Sequence, residues 1–201
     1  MKLTDIVKEI TDTDTFQMYH GGKRWSRIPT ELISSKKGRY EAGVGIYFTN
    51  RYETARSYAG GSRVVHLASI DKKFKRLDEV NIPLKEIVNF LKNLGGLRKR
   101  QEIINDLERN ATRMKRDTIS ADILNNLIVN HEAGSGNVGV KISNFFVSNG
   151  ADASIEGGVG LQDGEFWLLV FNPAIIKSVS VVDPRKIGSD FPFMLPRIDL
   201  H

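Results

Sequence analysis

The chain has 201 residues, 40% hydrophobic and 26% charged, a composition that suits one full hydrophobic core and excludes collagen, coiled coil and disorder. It contains no cysteine, which removes disulfides, thiolate nucleophiles and cysteine-based metal sites, and its four histidines (His20, His66, His131, His201) stand too far apart in sequence for metal spacing, so no metal is expected. The net charge of +5 is local: residues 72–116 hold 13 Lys/Arg against 6 Asp/Glu, leaving 16 against 18 elsewhere.

A basic stretch of this kind attracts phosphate without regard to sequence, but helices rich in Lys and Arg commonly present such charge simply to solvent. No apolar run approaches the length of about 20 residues that spans a bilayer. The first residues, MKLTDIVKEITDTD, carry acids where a signal peptide has an apolar core, so a cytoplasmic protein with no membrane partner is expected.

In chain order, Ile6, Val7 and Ile10 have helical spacing, and Thr/Asp turn residues lead to a strand over 16–20 that ends in Gly21-Gly22. After glycine-rich residues 36–45, the β-branched and aromatic run 46–49 predicts a strand. Asn50 is placed to cap a helix over 51–59, with Glu53 completing a capping box, and Gly60-Gly61 stops it. A buried strand is expected over 63–70. The middle of the chain changes character: helices are expected from Pro83 to Leu94, from Leu97 to about Lys115, and over 120–130, where Ile123, Leu124, Leu127 and Ile128 share a face. Residues 81–133 therefore read as a helical insertion. A helix over 138–149, then strands over 151–155, 166–171 and 176–182, complete an α+β chain without a regular βαβ period.

Three blocks carry the chemistry: Tyr19-His20-Gly21-Gly22, the run 43–49 continuing to Tyr58, and Asp163-Gly164-Glu165-Phe166-Trp167. Singly each has an ordinary explanation, since strand-end histidines, core tyrosines and solvated glutamates are common, and the glycines match neither GxGxxG nor the Walker pattern. Their order and spacing, however, resemble the His-Tyr-Glu signature of ADP-ribosyltransferases of the diphtheria-toxin and poly-ADP-ribose-polymerase branch. In that resemblance the signature falls on His20, Tyr47 and Glu165, and a second tyrosine after ten intervening residues falls on Tyr58. Tyr19-His20-Gly21, residues 45–49, 55–59 and 170–173 are most similar to short domains of bacteriophage and bacterial proteins. The match covers about 16–70 and 150–182.

The resemblance implies two small packed β-sheets forming a cleft for NAD+ as co-substrate. It implies a mono-ADP-ribosyltransferase that cleaves the nicotinamide-ribose bond and passes ADP-ribose to a macromolecular acceptor: a host protein first, a nucleic acid second. If the chain is phage-encoded, the compartment would be the host cytoplasm.

The chemistry asks for simple parts. Tyr47 and Tyr58 would flank the flat nicotinamide ring, where offset stacking contributes about 0.5–1.5 kcal/mol per pair. Gly21 would bring backbone N–H and C=O groups to the carboxamide. A neutral His20 would donate to a ribose hydroxyl. Glu165 would stabilise positive charge as it develops on the ribose. Where the polymerases place a carboxamide-binding serine this sequence has Ala55, so Thr49 or Ser57 would replace it. A strand places Asp163, two residues before Glu165, on the same face, so Asp163 remains an alternative carboxylate. Two other activities stay open: an NAD+ glycohydrolase, in which water replaces the acceptor, and a degenerate module that binds NAD+ or ADP-ribose without turnover.

Overall fold

A computed structural model describes residues 14–32, 42–62, 64–156, 161 and 163–197. The expected first helix around Ile6 and the glycines Gly157, Gly158 and Gly160 lie outside these residues.

Eight strands are present among them: β1 (Thr15–Gly22), β2 (Ile46–Thr49), β3 (Val64–Asp71), β4 (Asn81–Pro83), β5 (Thr118–Ser120), β6 (Ala153–Glu156), β7 (Trp167–Val170) and β8 (Ile176–Val181). Six form one antiparallel sheet in the order β6-β7-β2-β1-β3-β8, and β4 pairs with β5 in a two-stranded ribbon. The two small packed sheets that the resemblance implies are not separate here: the six strands form one continuous sheet, because β2 pairs with strands on both sides of it. Its two halves are nevertheless joined narrowly. β1 pairs with β3 from Thr15↔Asp71 to Gly22↔Val64, whereas β1 and β2 share only the register position Tyr19↔Thr49. The α+β class stands, and the ribbon β4-β5 lies in the middle segment read from sequence as purely helical.

Strand alternation sorts the side chains between two faces. Phe16, Met18, Phe48, Ala68, Ile70, Leu168 and Val170 build one apolar layer, against which Trp25 and Ile28 pack. On the other face, helix α1 (Tyr52–Tyr58) lies over β1, burying Tyr52 and Ala55 beside Tyr19 and Val65. Beside it sits a helical layer of α2 (Leu84–Asn93), α3 (Arg100–Met114), α4 (Ala121–Asn130) and α5 (Gly136–Ser148). The buried positions of α3, Ile103, Ile104, Leu107 and Ala111, recur at helical spacing. They join one cluster with Leu169 and Phe171, and Tyr47 packs against it. The middle helices therefore continue the sheet's own core.

The basic stretch is partly neutralised within this layer. Arg76 pairs with Asp78 and Arg109 with Asp106, while Arg98 and Arg100 donate to the Glu132 and Leu94 carbonyls. No helix of the described residues is long and apolar enough to cross a membrane.

The start of α1 differs from expectation. Its first flanking residue is Arg51, not Asn50, and no side chain caps it. Glu53 forms an ion pair with Arg51 at 3.0 Å instead of closing a capping box. The reason is that the Asn50 side chain, fully buried, is engaged elsewhere. Its Nδ2 donates to the Gly164 carbonyl (3.0 Å) and the Leu195 carbonyl (3.2 Å), and its Oδ1 accepts from the Phe166 N–H (3.1 Å). Asn50→Ala leaves three backbone groups without their partner, and a loss of about 2 kcal/mol is expected. Thermal unfolding followed by circular dichroism should show a fall of roughly 4–8 °C for a chain of this size.

Candidate active site

Glu165 lies just before β7 and is half-buried. Its Oε1 accepts from the Thr49 hydroxyl at 3.2 Å and from the Trp167 indole N–H at 3.2 Å. Both donors come from one register position, Thr49↔Trp167. Thr49 is aimed in turn, because its Oγ1 also accepts from the Arg51 N–H at 3.1 Å.

Asp163 is exposed and sits in a turn with Gly164, whose φ of +77° is a conformation that favours glycine. The strand does not reach back to it, so the alternation that would place Asp163 beside Glu165 does not apply.

Two residues before Thr49, and so on the same face, stands Tyr47. Its hydroxyl donates to the Gly43 carbonyl at 2.6 Å and accepts from the Ala42 N–H at 3.2 Å. That loop is held by the helical layer: Asn125, buried on α4, donates to the Ala42 carbonyl at 2.8 Å, and Ser143 on α5 donates to the Val44 carbonyl. Helices α4 and α5 thus orient Tyr47 through that loop. Tyr58 closes α1 and is 60% exposed. The rings of Tyr47 and Tyr58 both stand perpendicular to Trp167, at 82° and 90°, with centroids 6.4 and 6.0 Å away. Tyr47, Tyr58, Trp167, Thr49 and Glu165 therefore form one group.

Trp167 is the member to which sequence gave no role, although it lies in the third block. Its cross-strand neighbour Glu156 was also missed; it accepts from the Ser154 hydroxyl at 2.7 Å, and burial raises its carboxyl pKa. Neither candidate for the missing serine is confirmed as such. Ser57 is exposed and donates to the Thr54 carbonyl, while Thr49 is engaged with Glu165. Gly21 has a packing role: a Cβ there would lie 1.6 Å from the Ala55 carbonyl oxygen, so its lack of a side chain seats α1 on β1.

His20 sits where β1 and β2 part. Its Nδ1 lies 2.8 Å from the Tyr47 carbonyl, and a carbonyl can only accept, so Nδ1 carries the proton. In the neutral ring Nε2 is then an acceptor. The expected donation to a ribose hydroxyl is reversed: a hydroxyl would donate to His20. Glycine at 22 keeps a side chain away from that nitrogen, since a Cβ would stand 2.8 Å from it.

The other occupant of this corner is Trp25, whose ring lies over both His20 (4.4 Å) and its cross-strand partner His66 (5.0 Å), and whose backbone N–H donates to His66 Nε2. Sequence gave no signal for Trp25 or His66.

Burial pushes the His20 pKa down to about 4 from 6.5, against the opposing hydrogen bond to Tyr47, and burial lowers His66 in the same direction. The unfolded chain takes up these protons below about pH 6.5, whereas folded His20 waits until about 4. Stability from these groups is therefore complete above pH 6.5 and is lost as pH falls towards 4. Melting curves between pH 7 and 4.5 should show a smaller acid-induced fall for His20→Asn than for the wild-type chain. An equal fall would remove His20 from this role.

Among the described residues, no group of three or more His, Cys, Asp or Glu is arranged to hold a metal ion. Compared with models of protein families, with curated proteins and with solved structures, the chain matches none.

Proposed function

We propose that the chain is a mono-ADP-ribosyltransferase that takes NAD+ as co-substrate at the Glu165 group. The observation that carries this is the pairing of a carboxylate, oriented by two hydrogen-bond donors, with two tyrosine rings on the same sheet face.

NAD+ supplies a ribose carbon bonded to a positively charged nicotinamide, which leaves as a neutral heterocycle with the electrons of the broken bond. Tyr47, whose ring is fixed through its hydroxyl, and the exposed Tyr58 offer the flat walls for that heterocycle. The Thr49 and Trp167 donors hold the Glu165 carboxylate in one orientation before any charge appears, so little reorganisation is needed as positive charge develops on the ribose. His20 stands apart from this group, its ring packed with Trp25 and Phe48 and its proton committed to the Tyr47 carbonyl, so in this reading it accepts from the more distant ribose where β1 and β2 part. The acceptor's nucleophilic atom then bonds to the ribose carbon and releases its proton to solvent.

The experiment is incubation of the purified chain with NAD+ labelled on the adenine side, alone and with cell lysate. Nicotinamide release and labelled macromolecules are measured. Release with label on a macromolecule supports transfer, and release with free ADP-ribose alone assigns the chain to NAD+ hydrolysis. Binding of NAD+ without release assigns it to a binding module, and the absence of both removes the proposal.

A further inference from the structure

The segment 191–195 runs across the site's edge, and nothing in the three sequence blocks accounts for it. It is pinned along its backbone. The Tyr19 hydroxyl donates to the Pro192 carbonyl (2.7 Å), the Tyr52 N–H to the Phe193 carbonyl (2.9 Å), and the Leu195 N–H to the Asn50 carbonyl (2.8 Å). Asn50, which holds Leu195, also holds the Gly164 carbonyl beside Glu165. A segment tied this firmly nevertheless leaves Phe193 57% and Met194 37% exposed. The Phe193 ring packs over Gly188, and Met194 Sδ lies 3.6 Å from where a Gly164 Cβ would be. Two large apolar side chains are thus held at fixed positions, one of them against the residue that precedes Glu165.

Resting on the transferase reading, we infer that Phe193 and Met194 dock the acceptor, and that the acceptor is a protein segment carrying an apolar side chain beside the residue to be modified. Continuity with Glu165 supplies the location, since the acceptor must approach the ribose there. Charge selects protein over nucleic acid. Arg51 is paired with Glu53, Arg185 with Asp183 and Lys186 with Asp190, and the remaining neighbouring charges, exposed Arg56 and Arg197 against Asp163 and Glu165, are equal in number. A surface with balanced charges gives a polyanion no net attraction, whereas an apolar side chain gains by leaving water against Phe193 and Met194.

The test uses the full chain, labelled NAD+ and three probes: a degenerate peptide pool with Leu, Phe or Met at alternate positions, a matched pool with Ser at those positions, and mixed single-stranded RNA and DNA. The wild-type chain should label the apolar pool about tenfold more than the serine pool, a ratio equivalent to about 1.4 kcal/mol. Phe193→Ser, and Phe193→Ser with Met194→Ser, should bring the ratio towards one. The wild-type comparison needs no variant, so a misfolded variant leaves the result readable. Equal labelling of the two peptide pools, or preferential labelling of nucleic acid, overturns the docking proposal while the label on the probe shows transfer intact, and nicotinamide release without any labelled probe overturns both. Absence of nicotinamide release overturns both.

Discussion

Glu165→Gln is expected to lower nicotinamide release from NAD+ by about 10²–10³-fold, the usual cost of removing a group preorganised for charge that appears in the transition state. Glutamine preserves shape, and its amide oxygen can accept from both the Thr49 hydroxyl and the Trp167 indole as Oε1 does now. Folding should survive, and the loss should fall on kcat with KM for NAD+ little changed, because the carboxylate acts on charge absent from the ground state. Steady-state nicotinamide release, with a melting curve on the same sample, checks both parts. Asp163→Asn is the matched comparison. A larger loss there than in the Glu165 variant would transfer the role to Asp163, against the geometry of its exposed turn.

The second large effect is expected from Gly21→Ala. A methyl group there would meet the Ala55 carbonyl oxygen at 1.6 Å and the Ala55 carbonyl carbon at 2.6 Å, and both are backbone atoms that no rotamer change can move aside. Helix α1 must lift from β1, disturbing Tyr52 and Ala55, which are buried beside Tyr19 and Val65. A destabilisation of at least about 3 kcal/mol is expected, at the upper end for overpacking. Thermal unfolding should shift down by roughly 6–12 °C. Because Tyr58 ends the displaced helix, its edge contact with Trp167 should be lost as well, and NAD+ binding measured by calorimetry should weaken even in the folded fraction. A stable Gly21→Ala chain with unchanged melting would show that α1 does not seat where this geometry puts it.

Much of the fold was legible because its elements announce themselves locally. Helices α2 to α5 fall close to the helical stretches expected, although Ser120, read as part of its helix, instead caps α4 by accepting from the Asp122 N–H. The candidate site was legible for a different reason: Tyr47, Tyr58 and Glu165 fall in ordered blocks whose spacing resembles a family signature, and they do lie around Trp167. Asn50 marks where local signals mislead. Beside a helix start it reads as a cap, yet its side-chain partners lie 114, 116 and 145 residues away. Trp25 over His20 and His66, and segment 191–195 beside Gly164, are likewise long-range arrangements for which no neighbouring residue gives a sign.

By itself the sequence determined the helices, the six strands of the large sheet and the absence of any cysteine chemistry, though not the β4-β5 ribbon, because propensity, periodicity and composition act over a few residues at a time. Only the tertiary structure decided that six strands make one sheet and that the middle helices hold the loop which orients Tyr47. It alone set the His20 proton on the side of the Tyr47 carbonyl and turned the Glu165 carboxylate towards Thr49 and Trp167. Those outcomes depend on which backbone and side-chain groups meet across distant parts of the chain, and a hydrogen bond acts only between groups that packing has brought within about 3 Å.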